Sequence, residues 1–161
     1  LAVLKGGPVE LPETMLSGLD SSLLLPVKKK ARCVYFLQAA AMAHKYGKIA
    51  TYCFRFASGR VLELPVVSYG DVPEGTPVEL QASCEVNIHD WYCEMGYIRN
   101  DSTRPVRVLA SEASPMAPRY FYVHRWENPF PEETIQSIEL TMESETEALM
   151  MLYGVTLGQN T

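Results

Sequence analysis

The sequence predicts an all-β fold, an antiparallel β-sandwich or jelly roll, and three observations carry that expectation. Short runs rich in β-branched and aromatic residues recur along the chain, bounded by clusters of Gly, Pro, Asn, Asp and Ser. One of them, Lys48 to Phe56, alternates cleanly and leads into a tip suited to a hairpin. No long segment sets its apolar residues at helical spacing. Together the runs amount to about eight strands, the number expected of a sandwich.

Residues 1–30 contain Gly6-Gly7-Pro8, Pro12 and Pro26 without a sustained period. They predict a linker and an irregular entry segment, which leaves 31–158 as the sandwich domain. Leu11-Pro12-Glu13-Thr14 matches the start of a cell-wall sorting signal, but Met15 follows where Gly is required, so the match is fortuitous. Cys33 to Gln38 is short and apolar on both faces, as a buried strand is.

Lys48 to Phe56 points Ala50, Tyr52, Phe54 and Phe56 one way, with Ile49, Thr51, Cys53 and Arg55 pointing the other. Ala57-Ser58-Gly59 then supplies a three-residue connection whose Gly tolerates the left-handed conformation, so Arg60 to Val67 returns antiparallel. After the turn cluster at 71–76, Pro77 to Ala82 predicts a strand, and Arg104 to Ala110 another. Arg119 to Trp126 places Tyr120, Tyr122, His124 and Trp126 on one face, and Ile135 to Met142 does the same with Ile138, Leu140 and Met142. Trp126-Glu127-Asn128-Pro129-Phe130-Pro131 forms a rigid corner, because each residue before a proline is driven to extended backbone.

The last element has two readings. Ser144-Glu145-Thr146-Glu147 fits a helix capping box, whereas Leu149 to Leu157 is a continuous apolar run with Tyr, Val and Thr. A buried central strand is the favoured one.

A chain of 161 residues that is 47% hydrophobic and 20% charged suffices for one core without metals or disulfides. A net charge of −5 and a pI near 5.2 argue against nucleic acid, which draws on a concentrated basic surface. The basic run Lys28-Lys29-Lys30 with Arg32 is read as a solvated strand entry. No apolar stretch has the length of a membrane-spanning helix, so no membrane insertion is expected. The sequence opens on Leu1 and not on Met, which suggests a piece of a longer protein.

Chemical signatures are sparse. The sequence holds no nucleophile elbow, phosphate loop, dinucleotide fingerprint or zinc-protease helix, and the expectation is a non-catalytic module. Cys33 and Cys53 read as small core hydrophobes. Cys84 and Cys93 bracket a loop and suit either a disulfide or free thiols. His89-Asp90 near those cysteines matches no regular zinc spacing. The expectation is therefore no cofactor, with a structural calcium held by loop oxygens as the one ion the acidic loops would suit.

The more suggestive residues are polar and aromatic. His44-Lys45-Tyr46, Asn87 to Tyr92, and Tyr97 to Asp101 lie between strands. Flat rings stack on the apolar faces of sugars while Asn, Asp, Arg and His satisfy hydroxyls. Trp91, Tyr92, Tyr46, Arg99, His44 and Asn100 are the candidate carbohydrate contacts. The competing reading puts Trp91 and Tyr97 in the core.

Several segments, taken in order, resemble a known family. They are Cys33 to Ala39, Gly47 to Tyr52 with Ala57-Ser58-Gly59, Ile88 to Trp91, and Tyr122 to Pro131. The set resembles the galactose-binding-like β-sandwich modules appended to bacterial polysaccharide-degrading enzymes and surface proteins. In those modules a Leu-Tyr-Phe-Leu-His strand leads to a hairpin with an Ala-Asp-Gly tip, and a Trp-Glu-Asn-Pro-x-Pro corner precedes the last two strands. The resemblance spans most of 25–157, and two positions depart from it: Gln38 replaces His, and Ser58 replaces Asp.

The resemblance implies a jelly-roll fold and a secreted or cell-surface setting. The function it implies is a carbohydrate-binding or accessory module of a multidomain glycan-processing protein. Its partners would be a poly- or oligosaccharide and neighbouring domains of the same polypeptide. The alternative is a structural module that docks onto a neighbouring catalytic domain without a ligand of its own.

Overall fold

The computed structural model describes residues 2–5, 19–70, 86–88, 103–108 and 119–159, which form strands and the connections between them. Among the described residues ten strands follow in order: β1 (Ala2–Lys5), β2 (Ser22–Lys29), β3 (Cys33–Ala41), β4 (Tyr46–Phe56), β5 (Val61–Tyr69), β6 (Val86–Ile88), β7 (Thr103–Val108), β8 (Arg119–Glu127), β9 (Ile135–Met142) and β10 (Leu149–Gly158). They form two five-stranded sheets with the orders β1-β10-β3-β8-β7 and β2-β9-β4-β5-β6. Every pairing is antiparallel except that of β5 with β6. The all-β sandwich expected from the sequence is the fold observed.

Period-2 patterning explains the core. Val34, Phe36, Gln38 and Ala40 of β3 and Tyr120, Tyr122, His124 and Trp126 of β8 are buried from the first sheet. Ala50, Tyr52, Phe54 and Phe56 of β4 meet them from the second, with Ile138, Leu140 and Met142 of β9. Rings join the layers. Phe36 stacks on Tyr52 at 4.2 Å between centroids, and Trp126 stacks on Phe54 at 3.9 Å. Phe36 also meets Phe54 edge-on at 6.2 Å, so Phe54 touches two rings of the opposite sheet.

The hairpin tip forms as expected: the Gly59 N–H donates to the Phe56 carbonyl at 3.0 Å, and Gly59 has φ of +87°. The tip is latched to the corner after β8. Ser58 Oγ donates to Glu133 Oε2 at 2.5 Å, Arg60 pairs with Glu133 at 3.3 Å, and its guanidinium lies 3.6 Å above the Phe130 ring. Within the corner, Asn128 Nδ2 donates to the Ala31 carbonyl at 2.8 Å and to the Phe130 carbonyl at 3.2 Å. Its Oδ1 accepts from the Phe130 N–H at 2.9 Å.

Several expectations are corrected. Residues 1–30 are not all linker, because β1 and β2 lie within them and each sheet draws on one. Leu23, Leu25 and Val27 do alternate, but Pro26 interrupts the pattern to the eye. It is tolerated because β2 is an edge strand, where a missing N–H costs no ladder bond on the open side. Cys53 is not a core residue. It sits half-buried on the outer face of the second sheet opposite Glu63 and Glu139, while Cys33 is buried as expected. Ile49 is buried beside Ala50, because a bulge between Lys48 and Ala50 breaks the alternation there.

Asn87 and Ile88, expected in a loop, belong to β6. Ser144 to Glu147 is a turn, not a helix start, and the apolar run after it is the strand β10 between β1 and β3. The strand expected at 77–82 and the residues Cys84 and Cys93 lie outside the described residues.

Candidate functional site

At one end of the sandwich a groove of about 410 Å³ opens between two connections, the β3–β4 turn with the start of β4 and the β9–β10 turn. Its geometry follows from local backbone. Met42, just past β3, takes φ of +60°, and Gly47, at the start of β4, takes φ of +145°. The turn is fixed from below: Ser68 Oγ donates to the Ala43 carbonyl at 2.8 Å and accepts from the Gly70 N–H at 3.2 Å. A Cβ at Gly70 would overlap the His44 carbonyl, so a side chain there is incompatible with the turn. On the opposite wall the Glu143 N–H donates to the Ile49 carbonyl at 2.9 Å.

Two candidate contacts from the sequence, His44 and Tyr46, line this groove, and both are exposed. Tyr46 is 40% exposed, and its ring rests edge-on against Tyr69, with centroids 5.4 Å apart. The other four, Trp91, Tyr92, Arg99 and Asn100, lie outside the described residues. Sequence reasoning missed the charged rim. Lys48 pairs with Glu143 at 2.8 Å, Lys45 with Glu147 at 3.5 Å, and Thr51 donates to Glu143 at 3.5 Å. Glu143, Glu145 and Glu147 stand at alternate positions after β9, and the sequence gives no sign of their partners. Only the pairing of Ala50 with Met142 brings Glu143 beside Lys48.

The groove thus presents a half-exposed phenol ring framed by ammonium and carboxylate groups in water-accessible pairs. Such a rim offers donors and acceptors to a polyhydroxylated ligand, and the ring offers an apolar face. Among the described residues, no group of three His, Cys, Asp or Glu side chains converges as a metal site.

Two buried polar pairs lie in the core. Tyr52 donates to Gln38 Oε1 at 2.5 Å, and burial pushes the phenol far above its usual range. Nδ1 of His124 lies 2.7 Å from Thr103 Oγ1, and burial pushes this imidazole down to about 4. Comparison with models of known families, with curated proteins and with solved structures found no match.

Proposed function

We propose that the chain is a non-catalytic carbohydrate-binding or accessory module of a glycan-processing protein, and that the groove at Tyr46 is where it meets its glycan. The observation that carries this reading is the exposed Tyr46 ring set among Lys45, Lys48, Glu143 and Glu147. The strand nesting supports its galactose-binding-like jelly-roll form. In the orders β1-β10-β3-β8 and β2-β9-β4-β5, early and late strands alternate within each sheet, as wrapping a paired ribbon around a barrel produces.

The two departures from the resemblance do not count against a ligand at this groove. Gln38 is buried against Tyr52, and Ser58 is engaged with Glu133. A secreted or cell-surface setting belongs to the same proposal. Trp91, Tyr92, Arg99 and Asn100 remain its further candidates on sequence grounds.

The test is a glycan and polysaccharide panel, run with calcium and then with chelator, on the wild-type chain and on Tyr46→Ala and Trp91→Ala. Saturable binding that weakens tenfold or more in Tyr46→Ala, a loss of about 1.4 kcal/mol, is expected. Binding lost only in Trp91→Ala moves the site away from this groove, and no binding under either condition removes the carbohydrate reading.

A second reading, docking onto a neighbouring domain, is favoured by the outer face of the first sheet. Leu37 and Val106 are exposed there, Val123 and Phe121 lie opposite them in the ladders, and the Phe121 and Tyr153 rings pack at 4.4 Å.

A further inference from the structure

The sandwich is open along one side. Strand β1 covers β10 only over Leu149–Leu152, so on that side Gly154–Gly158 has no paired strand among the described residues. Facing this stretch is β2, the edge strand of the other sheet. Between them lies a groove of about 510 Å³, within the size range of small-molecule sites.

One wall is built by alternation along β2. Leu23, Leu25 and Val27 point into the groove at every second position, and Lys29, beyond the irregularity at Lys28, lines the same groove. Six residue steps of strand make that wall roughly 20 Å long. The opposite wall is Leu152, Val155 and Leu157 of β10. All three side chains face inward only because a bulge at Tyr153 shifts the alternation by one position. The wall of β2 is irregular as well: its ladder to β9 breaks between Pro26 and Lys29, and Lys28 takes φ of +54°. Bulges are over-represented at sheet edges and beside binding sites, where they re-aim side chains.

The charge is one-sided. Among the described residues that line the groove there is one cation, Lys29, and no carboxylate, in a chain of net charge −5. Lys29 makes no ion pair with any described residue. We propose that this groove binds a linear amphiphile, an unbranched acyl chain lying along Leu23, Leu25 and Val27 with its carboxylate at Lys29. A long apolar slot with a single cation at one end matches an alkyl carboxylate in both shape and charge. The site is separate from the groove at Tyr46 and does not rest on the carbohydrate reading.

The experiment is calorimetric titration of the full chain with sodium octanoate, decanoate and laurate, each kept below its micelle concentration. Saturable one-to-one binding is expected, tightening by about fourfold per added methylene while the chain still fits the groove. Lys29→Glu lies on the exposed surface and keeps the fold. It should weaken laurate at least tenfold, and dodecyltrimethylammonium should bind the wild type more weakly than laurate. Val155→Trp, which fills the slot, should abolish uptake, with circular dichroism checking the sheets. Failure of laurate to saturate a folded chain overturns the proposal, and so does equal affinity in the wild type and Lys29→Glu. A parallel arm uses phosphatidylcholine vesicles free of fatty acid, where no association is expected. Association with vesicles without uptake of free laurate overturns the soluble-ligand site in favour of bilayer contact.

Discussion

His124 occupies a core position of β8, cross-strand from Phe36 and bonded to Thr103, and burial holds its imidazole down to about 4. The folded chain therefore keeps this residue neutral over a range where the unfolded chain, titrating near 6.5, takes up a proton. Its contribution to stability is complete above pH 6.5 and is lost as pH falls from 6.5 towards 4. The depression amounts to about 3 kcal/mol as an order of magnitude. Urea unfolding of the wild type and His124→Gln at pH 7, 5.5 and 4.5 isolates it. The stability difference between the two should shrink as pH falls, and a constant difference would show that His124 is not held neutral. The alternation of 119–126 put His124 on the inner face from sequence alone, but not its neutrality. That comes from burial between the stacked sheets, where Thr103 of β7, twenty-one residues away, is its hydrogen-bond partner. The Gln38–Tyr52 pair was hidden for the same reason: a polar residue in an apolar strand shows no partner until the sheets are stacked.

Among elements, those whose information is local were the most legible. The β4–β5 hairpin, β8 and β9 follow from alternation and from Gly59, and their inward faces are the ones expected. Strands β1 and β2 were lost because they are edges. An edge strand buries one stripe, tolerates Pro26 and carries solvated lysines, so its composition resembles a linker. The corner after β8 was legible as rigid, and the structure locates the rigidity in Asn128, which joins Ala31 to Phe130 through three hydrogen bonds. Asn128→Ala should cost about 2–3 kcal/mol by leaving those buried groups unpaired. Asn128→Asp should cost more at pH 7, because a carboxylate oxygen then faces two carbonyls where an N–H₂ group had donated. Protonating that carboxyl restores a donor, so Asp should approach Ala or surpass it when each is measured against the wild type at pH 4. An Asp variant as stable as the wild type at pH 7 would contradict this account of the corner.

For the whole molecule, stability should be distributed from the ring stack outwards. Phe36, Tyr52, Phe54 and Trp126 tie β3 and β8 to β4 across the two layers, and β9 is held between β4 and β2. No one of these central strands can leave without exposing rings of the opposite sheet, so their amides should open only with the entire fold. The edges differ. Strand β1 has four residues and, among the described residues, a single ladder, to β10, and it contributes one well-buried side chain, Leu4. Strand β2 presents half-buried aliphatic side chains to an open groove, and its ladder to β9 is broken before Lys29. Local opening there sacrifices little burial, which is the condition for exchange at low free energy. Native-state hydrogen exchange in rising urea is the direct measurement. Amides of β3, β4 and β9 should show the largest opening free energies with a steep urea dependence. Those of β1 and of β2 near Val27 should exchange sooner, with little dependence. Equal protection of β1 and β4 would mean that the edge is fastened by contacts other than the ladder. Laurate, if it occupies the β2–β10 groove, should slow exchange in β2 and leave the centre unchanged, since only the open edge has local stability left to gain.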